Sequence, residues 1–143
     1  LEEFLAQETF FLTYGDGLSN VNLDSLLRFH NNSKKLITMS AVRPPARFGE
    51  LEFNGDEVIG FDEKPQMQRG WINGGFFVVE SGFIKYIDGD NTMLEREPLS
   101  TALNNSQMGA YKHNGLWQCM DTKREHEKLI SIWESGSAFW KMK

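Results

Sequence analysis

Several absences narrow the class of this chain before any motif is considered. Cys119 is the single cysteine, so no internal disulfide can form and a reducing, cytoplasmic setting is expected. No apolar run approaches the ~20 residues that a membrane-spanning helix requires. The first residues, Leu1 to Glu8, lack the basic stretch that opens a secretory signal. Positive charge is in deficit: 15 Lys and Arg stand against 20 Asp and Glu, a net charge of −5. A general nucleic-acid binder needs the opposite balance. His30, His113 and His126 have no metal-ligand spacing, and no Ser-His-Asp pattern has local support. Repeats and low-complexity stretches are missing, and no hexapeptide period signals an appended β-helix. A Gly-rich phosphate loop is absent, as is an initiator methionine.

What remains is an ordinary globular composition, 40% hydrophobic and 24% charged over 143 residues. That length suits one domain of the usual ~100–200 residues. Leu1 to Glu8 reads as the last turns of a helix that begins elsewhere. The chain is therefore expected to be the second half of an enzyme. Thr9 to Thr13 reads as a buried strand closed by Tyr14-Gly15-Asp16-Gly17. Asp24 is a fair N-cap for a helix over Ser25 to Asn31, and Lys35 to Val42 is the next strand. Strand, helix and strand in ~35 residues suggest a βαβ unit and a parallel pair. Asn54-Gly55-Asp56 signals a hairpin between Glu50–Phe53 and Val58–Phe61. Trp71 to Glu80 is a strand interrupted by two glycines. Short helices are expected at Ser81–Ile87 and Pro98–Leu103, with Glu95 and Glu97 in the first turn of the second. Short strands follow at Met108–His113 and Leu116–Met120. Asp121 or Thr122 caps a last helix, Lys123 to Trp133. The expected class is α/β: a mixed, mainly parallel sheet flanked by helices, with a β-hairpin insertion.

Four short motifs carry the chemistry. Asp16 and Asp121 each follow a strand, where ligands bind in open α/β sheets. Alone, the first is a turn residue and the second a helix cap. As a pair they can converge on Mg²⁺, which takes one or two carboxylates plus phosphate oxygens and water. Lys64, between Glu63 and Pro65, is held extended and offers a point charge for phosphate, although a solvated pair at a turn is the plainer reading. Asn73-Gly74-Gly75 combines a two-way amide with closely approachable backbone, which suits sugar hydroxyls or simply marks a bulge. Arg43 and Arg47 bracket a rigid Pro44-Pro45 loop, where an arginine can clamp phosphate or stay solvated. His30 and His126 read as helix-surface residues, and Cys119 as packed in its strand. Trp117, Trp133 and Trp140 read as core and docking surface.

In order, FFLTYGDG, PPARFG, FDEKP, WINGGFFVV, EREPL, LWQCMDT and WESGSAFWK resemble the sugar-1-phosphate nucleotidylyltransferases, and within them the cytidylyltransferase branch. The resemblance spans nearly all 143 residues. It implies that residues 1–143 form the metal and sugar-phosphate half of a Rossmann-like domain. It implies CTP and glucose 1-phosphate as substrates and CDP-glucose as product, in nucleotide-sugar synthesis of the kind that serves lipopolysaccharide O-antigen. Asp16 and Asp121 match the Mg²⁺ ligands, and Lys64 and Glu63 match the contacts to sugar phosphate and sugar. Asn73, Gly74 and Gly75 match the hexose pocket. Arg47 lies in a branch-typical loop and is grouped with the substrate-binding residues. The departure is the missing GGxGTR-type nucleotide loop, so the chain alone is expected to be inactive and to self-associate through an open sheet edge. A non-catalytic sugar-phosphate-binding module, or UTP or dTTP as donor, stays open beside this reading.

Overall fold

In the computed structural model of the chain, residues 5, 8–45, 50–62 and 70–141 are described. The order is β1 (Phe10–Thr13), β2 (Gly17–Ser19), α1 (Leu23–Ser33), β3 (Ile37–Val42), β4 (Glu50–Asn54), β5 (Glu57–Asp62) and β6 (Ile72–Val79). A 3-10 helix (Ser81–Tyr86), α2 (Glu97–Asn104), β7 (Met108–Lys112), β8 (Trp117–Cys119) and α3 (Lys123–Glu134) follow. The class is mixed α/β, as expected.

The main sheet has the order β1-β6-β3-β7. β6 is antiparallel to both neighbours, and β3 pairs with β7 in parallel. The strand–helix–strand unit therefore does not place β1 beside β3. Both run the same way, with β6 inserted between them. Among the described residues β1 has a neighbour on one side only, and its residues alternate between half-buried and exposed. Among these residues the apolar TFFLT run is thus an edge strand with one wet face, where its composition suggests a buried one.

Alternation along the strands sorts side chains to two faces. Ile37, Phe77 and Val79 turn to one side and close a core with Phe83, Leu99 and Ala102 from the 3-10 helix and α2. Thr38, on the opposite side of β3, meets His30 of α1. The sheet is therefore sandwiched between α1 and the pair formed by the 3-10 helix and α2.

Local signals explain most boundaries. α1 starts two residues earlier than its expected cap: Asn22, not Asp24, is the N-cap, and its Oδ1 accepts the Ser25 N–H at 2.7 Å. Asn is as good a cap as Asp, and here the chain turns two residues sooner. Gly55, at φ +61, closes the β4–β5 hairpin as the Asn-Gly signal predicts. α3 is capped by Thr122 in a full capping box with Glu125. Thr122, and not Asp121, is therefore the N-cap of this helix.

His30 departs most from expectation. It is 1% exposed rather than on the helix surface. Its Nδ1 lies 2.9 Å from Thr38 Oγ1 and its Nε2 lies 2.9 Å from Glu80 Oε1. His30 is one turn on from Leu26, so it shares the buried stripe of α1. Two polar partners make that burial tolerable.

Candidate active site

β6 begins with Ile72-Asn73-Gly74-Gly75, and each of the last three has a definite task. A Cβ on Gly74 would sit 2.6 Å from Val42 Cγ1 and 2.7 Å from Ser40 Oγ, so β3 and β6 can close only over a glycine. Gly75 holds φ at +76, and a Cβ there would meet the Tyr14 ring at 2.8 Å. Asn73 Oδ1 accepts the Gly75 N–H at 2.9 Å, which fixes the strand's irregular start. The strand interruption is therefore a bulge and a close approach at once. Register confirms it: the β3–β6 ladder shifts between Met39 and Ala41.

The first strand delivers Tyr14 to the same place. Its backbone N–H donates to the Gly75 carbonyl at 2.9 Å, extending the β1–β6 ladder by one step. Its hydroxyl donates to Glu95 Oε1 at 2.6 Å and accepts from Asn73 Nδ2 at 3.1 Å. Burial and the hydrogen bond to Glu95 push the phenol up to about 12. The hydrogen bond from Tyr14, with one from its own backbone, holds Glu95 below the usual carboxylate range. Tyr14, Gly15, Asp16 and Glu95 line an open cavity of ≈ 500 Å³.

Asp16 and Asp121 are brought together by a second, two-stranded sheet. β2 and β8 are antiparallel with Gly17 opposite Cys119. One step on, the Met120 N–H donates to the Asp16 carbonyl at 2.9 Å. Asp121 therefore lies one residue past direct opposition to Asp16, although 105 positions separate them in the chain. The small sheet is tied to the large one by Trp117, whose indole N–H donates to the Gly74 carbonyl at 2.8 Å. This bond anchors the β2–β8 pair to the start of β6, next to Asn73 in the chain. The tryptophan is thus a strut of the site rather than docking surface, and its place in LWQCMDT was the available hint.

Glu125 shapes the Asp121 corner. Its Oε2 accepts from the backbone N–H of Asp121 and of Thr122, both at 3.0 Å, and from Thr122 Oγ1 at 3.1 Å. Cys119 Sγ, Asp121 and Glu125 offer ligand atoms within 4.8 Å of one another. Cys119 and Glu125 are buried, and Glu125 is already engaged by four donors including the Cys119 thiol at 3.5 Å. Glu125 thus holds the backbone at Asp121 and Thr122 in place, while Asp16 lines the open cavity. The Thr-x-x-Glu spacing could have identified Glu125 from sequence.

Two further groups border the region. The Arg43 guanidinium stacks 4.4 Å from the Trp71 ring centroid, with Lys112 Nζ at 5.7 Å. His113 Nε2 lies 2.9 Å from Asn20 Oδ1, and burial lowers its pKa. Glu63, Lys64 and Arg47 lie outside the described residues. Of the expected site residues, the structure gathers Asp16, Asp121, Asn73, Gly74 and Gly75 at one end of the sheet.

Residues 1–133 match the family described as nucleotidyl transferase. The glucose-1-phosphate cytidylyltransferase of Salmonella typhimurium is 42% identical over 134 residues, covering 94% of this chain and 52% of that protein. A protein named probable glucose-1-phosphate cytidylyltransferase from Bacillus subtilis is 34% identical over 142 residues, covering 99% of this chain and 56% of its own length. The chain thus spans about half the length of the curated relatives it matches. Among solved structures, HddC from Yersinia pseudotuberculosis shares the fold with a TM-score of 0.61 at 15% identity, over 92% of this chain and 58% of that one. The chain belongs to the nucleotidyl transferase family.

Proposed function

For this member of the nucleotidyl transferase family, we propose that residues 1–143 carry the metal and sugar-phosphate part of a domain that makes CDP-glucose. An oxygen of glucose 1-phosphate attacks the α-phosphorus of CTP in line, the bond to the pyrophosphate oxygen breaks, and pyrophosphate leaves. Such a reaction asks the protein chiefly for positioning and charge neutralisation. Asp16 and Asp121 would hold a divalent cation, Mg²⁺ by the hardness of their donors, and that cation neutralises charge on phosphate oxygens. Tyr14, Asn73 and Gly75 orient the hexose. Lys64 and Glu63 take the sugar phosphate and a sugar hydroxyl, and Arg47 belongs to the same substrate-binding set. Two relatives named for glucose-1-phosphate cytidylyl transfer favour CTP over UTP or dTTP.

The observation that supports this reading is the β2–β8 pairing, which brings the backbone of Asp121 to within one residue of direct opposition to Asp16, itself part of the Tyr14 cavity. Calorimetry with glucose 1-phosphate, with and without Mg²⁺, tests it. Saturable binding strengthened by Mg²⁺, and weakened by Asp16→Asn or Asp121→Asn, is expected. No binding in either condition overturns it.

A second reading has its own observation. β1 is paired on one side only among the described residues, and an unpaired strand edge invites another chain. Self-association through β1 would make the chain an oligomerising, sugar-phosphate-binding module in a cytoplasmic setting. Light scattering tests this, and a monomer at every concentration would sink it. Among the described residues no helix is long and apolar enough to cross a membrane.

A further inference from the structure

The hydrogen bonds around Tyr14 have a direction that can be read atom by atom. A phenol has one proton, and Tyr14 gives it to Glu95 Oε1 at 2.6 Å. The Tyr14 oxygen can then only accept, and it accepts from Asn73 Nδ2 at 3.1 Å. On the other side of the amide, Asn73 Oδ1 takes the Gly75 N–H at 2.9 Å. Both ends of the Asn73 amide are therefore determined: carbonyl toward Gly75, NH₂ toward Tyr14. A flipped amide would set NH₂ against N–H at one end. At the other it would set a carbonyl against an oxygen whose only proton is already committed. One Nδ2 proton is used by Tyr14, and among the described residues no partner takes the second.

We propose that Glu95 is a positioning residue which, by holding the Tyr14 proton, fixes the Asn73 amide as a hydrogen-bond donor to a sugar hydroxyl oxygen. The inference rests on the reading that this site takes a sugar 1-phosphate, and it names how one hydroxyl is recognised. Glu95 reaches the sugar only through Tyr14 and Asn73. Its place in the chain suits that role: it precedes α2 on an exposed loop, outside the hydrophobic core. Nothing in the packing of α2 requires a carboxylate there.

Three variants of the same chain test it: Glu95→Ala, Glu95→Gln and Tyr14→Phe. Each is measured for glucose 1-phosphate affinity with Mg²⁺ and for the Asn73 side-chain NH₂ resonances. Glu95→Ala frees the Tyr14 proton to compete with the Asn73 NH₂, so Kd should rise about tenfold, the worth of one good hydrogen bond. The Asn73 NH₂ resonances should shift in Glu95→Ala, and again in Tyr14→Phe, which removes their acceptor. Glu95→Gln keeps an oxygen that accepts the phenol proton while losing the charge, so it should recover most of the affinity. A merely structural role would instead lower the melting temperature and leave the NH₂ resonances of the folded protein in place. An unshifted Kd and unmoved Asn73 resonances in Glu95→Ala overturn the proposal alone. Absence of glucose 1-phosphate binding in the parent chain overturns the sugar reading and this inference with it.

Discussion

Two polar networks sit at opposite ends of β6, built from similar groups and put to different ends. At the far end, His30, Thr38, Glu80 and Thr9 form a closed set: the ring bonds Thr38 and Glu80, and Glu80 also accepts from Thr9 Oγ1 at 3.0 Å. At the near end, Tyr14, Glu95 and Asn73 form a chain that ends at a cavity. Each has an aromatic ring with a polar tip, a carboxylate and a third polar side chain. The difference is burial. His30 and Thr38 are inaccessible, so their bonds pin α1 to β3 and the end of β6. Asp16 and Glu95 are exposed, so their groups are within reach of a ligand. Similar groups pin elements together where His30 and Thr38 are shut off from solvent, and border an open cavity where Tyr14 meets Glu95.

The sharpest way to break this comparison is to empty the closed network. His30→Ala leaves Thr38 buried without its partner and opens a cavity, so unfolding free energy should fall by about 2–4 kcal/mol. Urea denaturation measures it, and glucose 1-phosphate affinity of the folded fraction should stay unchanged. The converse is Asp121→Asn, expected to cost about 10–100-fold in Mg²⁺-dependent affinity, the range of a charge-assisted contact. Its urea midpoint should barely move, because Thr122 and Glu125 make the capping box without it.

Gly74→Ala should cross the boundary between the two regions. Its new methyl lands on Val42 and Ser40 in the sheet, and displacement of the Gly74 carbonyl breaks the Trp117 strut. About 1–3 kcal/mol of stability should go together with sugar-phosphate binding. A loss of one without the other would show that β6 does not couple core to site. Thr122→Ala should cost about 1 kcal/mol, an ordinary N-cap loss, read by thermal melting.

The smallest test is pH. A raised phenol favours the folded state fully below its ordinary value of 10.0, and that contribution is lost as pH climbs from there to about 12. Glu95, lowered, contributes above the ordinary carboxylate range, and its contribution disappears as pH falls through its folded value. Alkaline denaturation of Tyr14→Phe should therefore lack the steep part seen in the parent.

Much of this was legible along the chain. The Asn54-Gly55 hairpin, the glycine pair in β6 and the Thr122–Glu125 spacing are local signals, and each names its own geometry. The candidate aspartates were legible as strand-end residues and through a family resemblance, but not as neighbours by spacing alone. His30 was misread because a helical histidine at a borderline position looks like surface until its partners are known. Those partners are 8 and 50 residues away. Apolar composition alone could not show that, among the described residues, the TFFLT strand is paired on one side only.

By itself, then, the sequence determined where the chain turns, caps and bends, because those outcomes depend on backbone conformation and on side chains within about four positions. Only the tertiary structure decided which groups meet. Trp117 finds Gly74 across 43 residues and Tyr14 finds Glu95 across 81. Such pairings depend on sheet order and register, which no single segment encodes. The physical reason is that a hydrogen bond between distant residues costs loop closure and becomes net favourable only once packing has placed both partners.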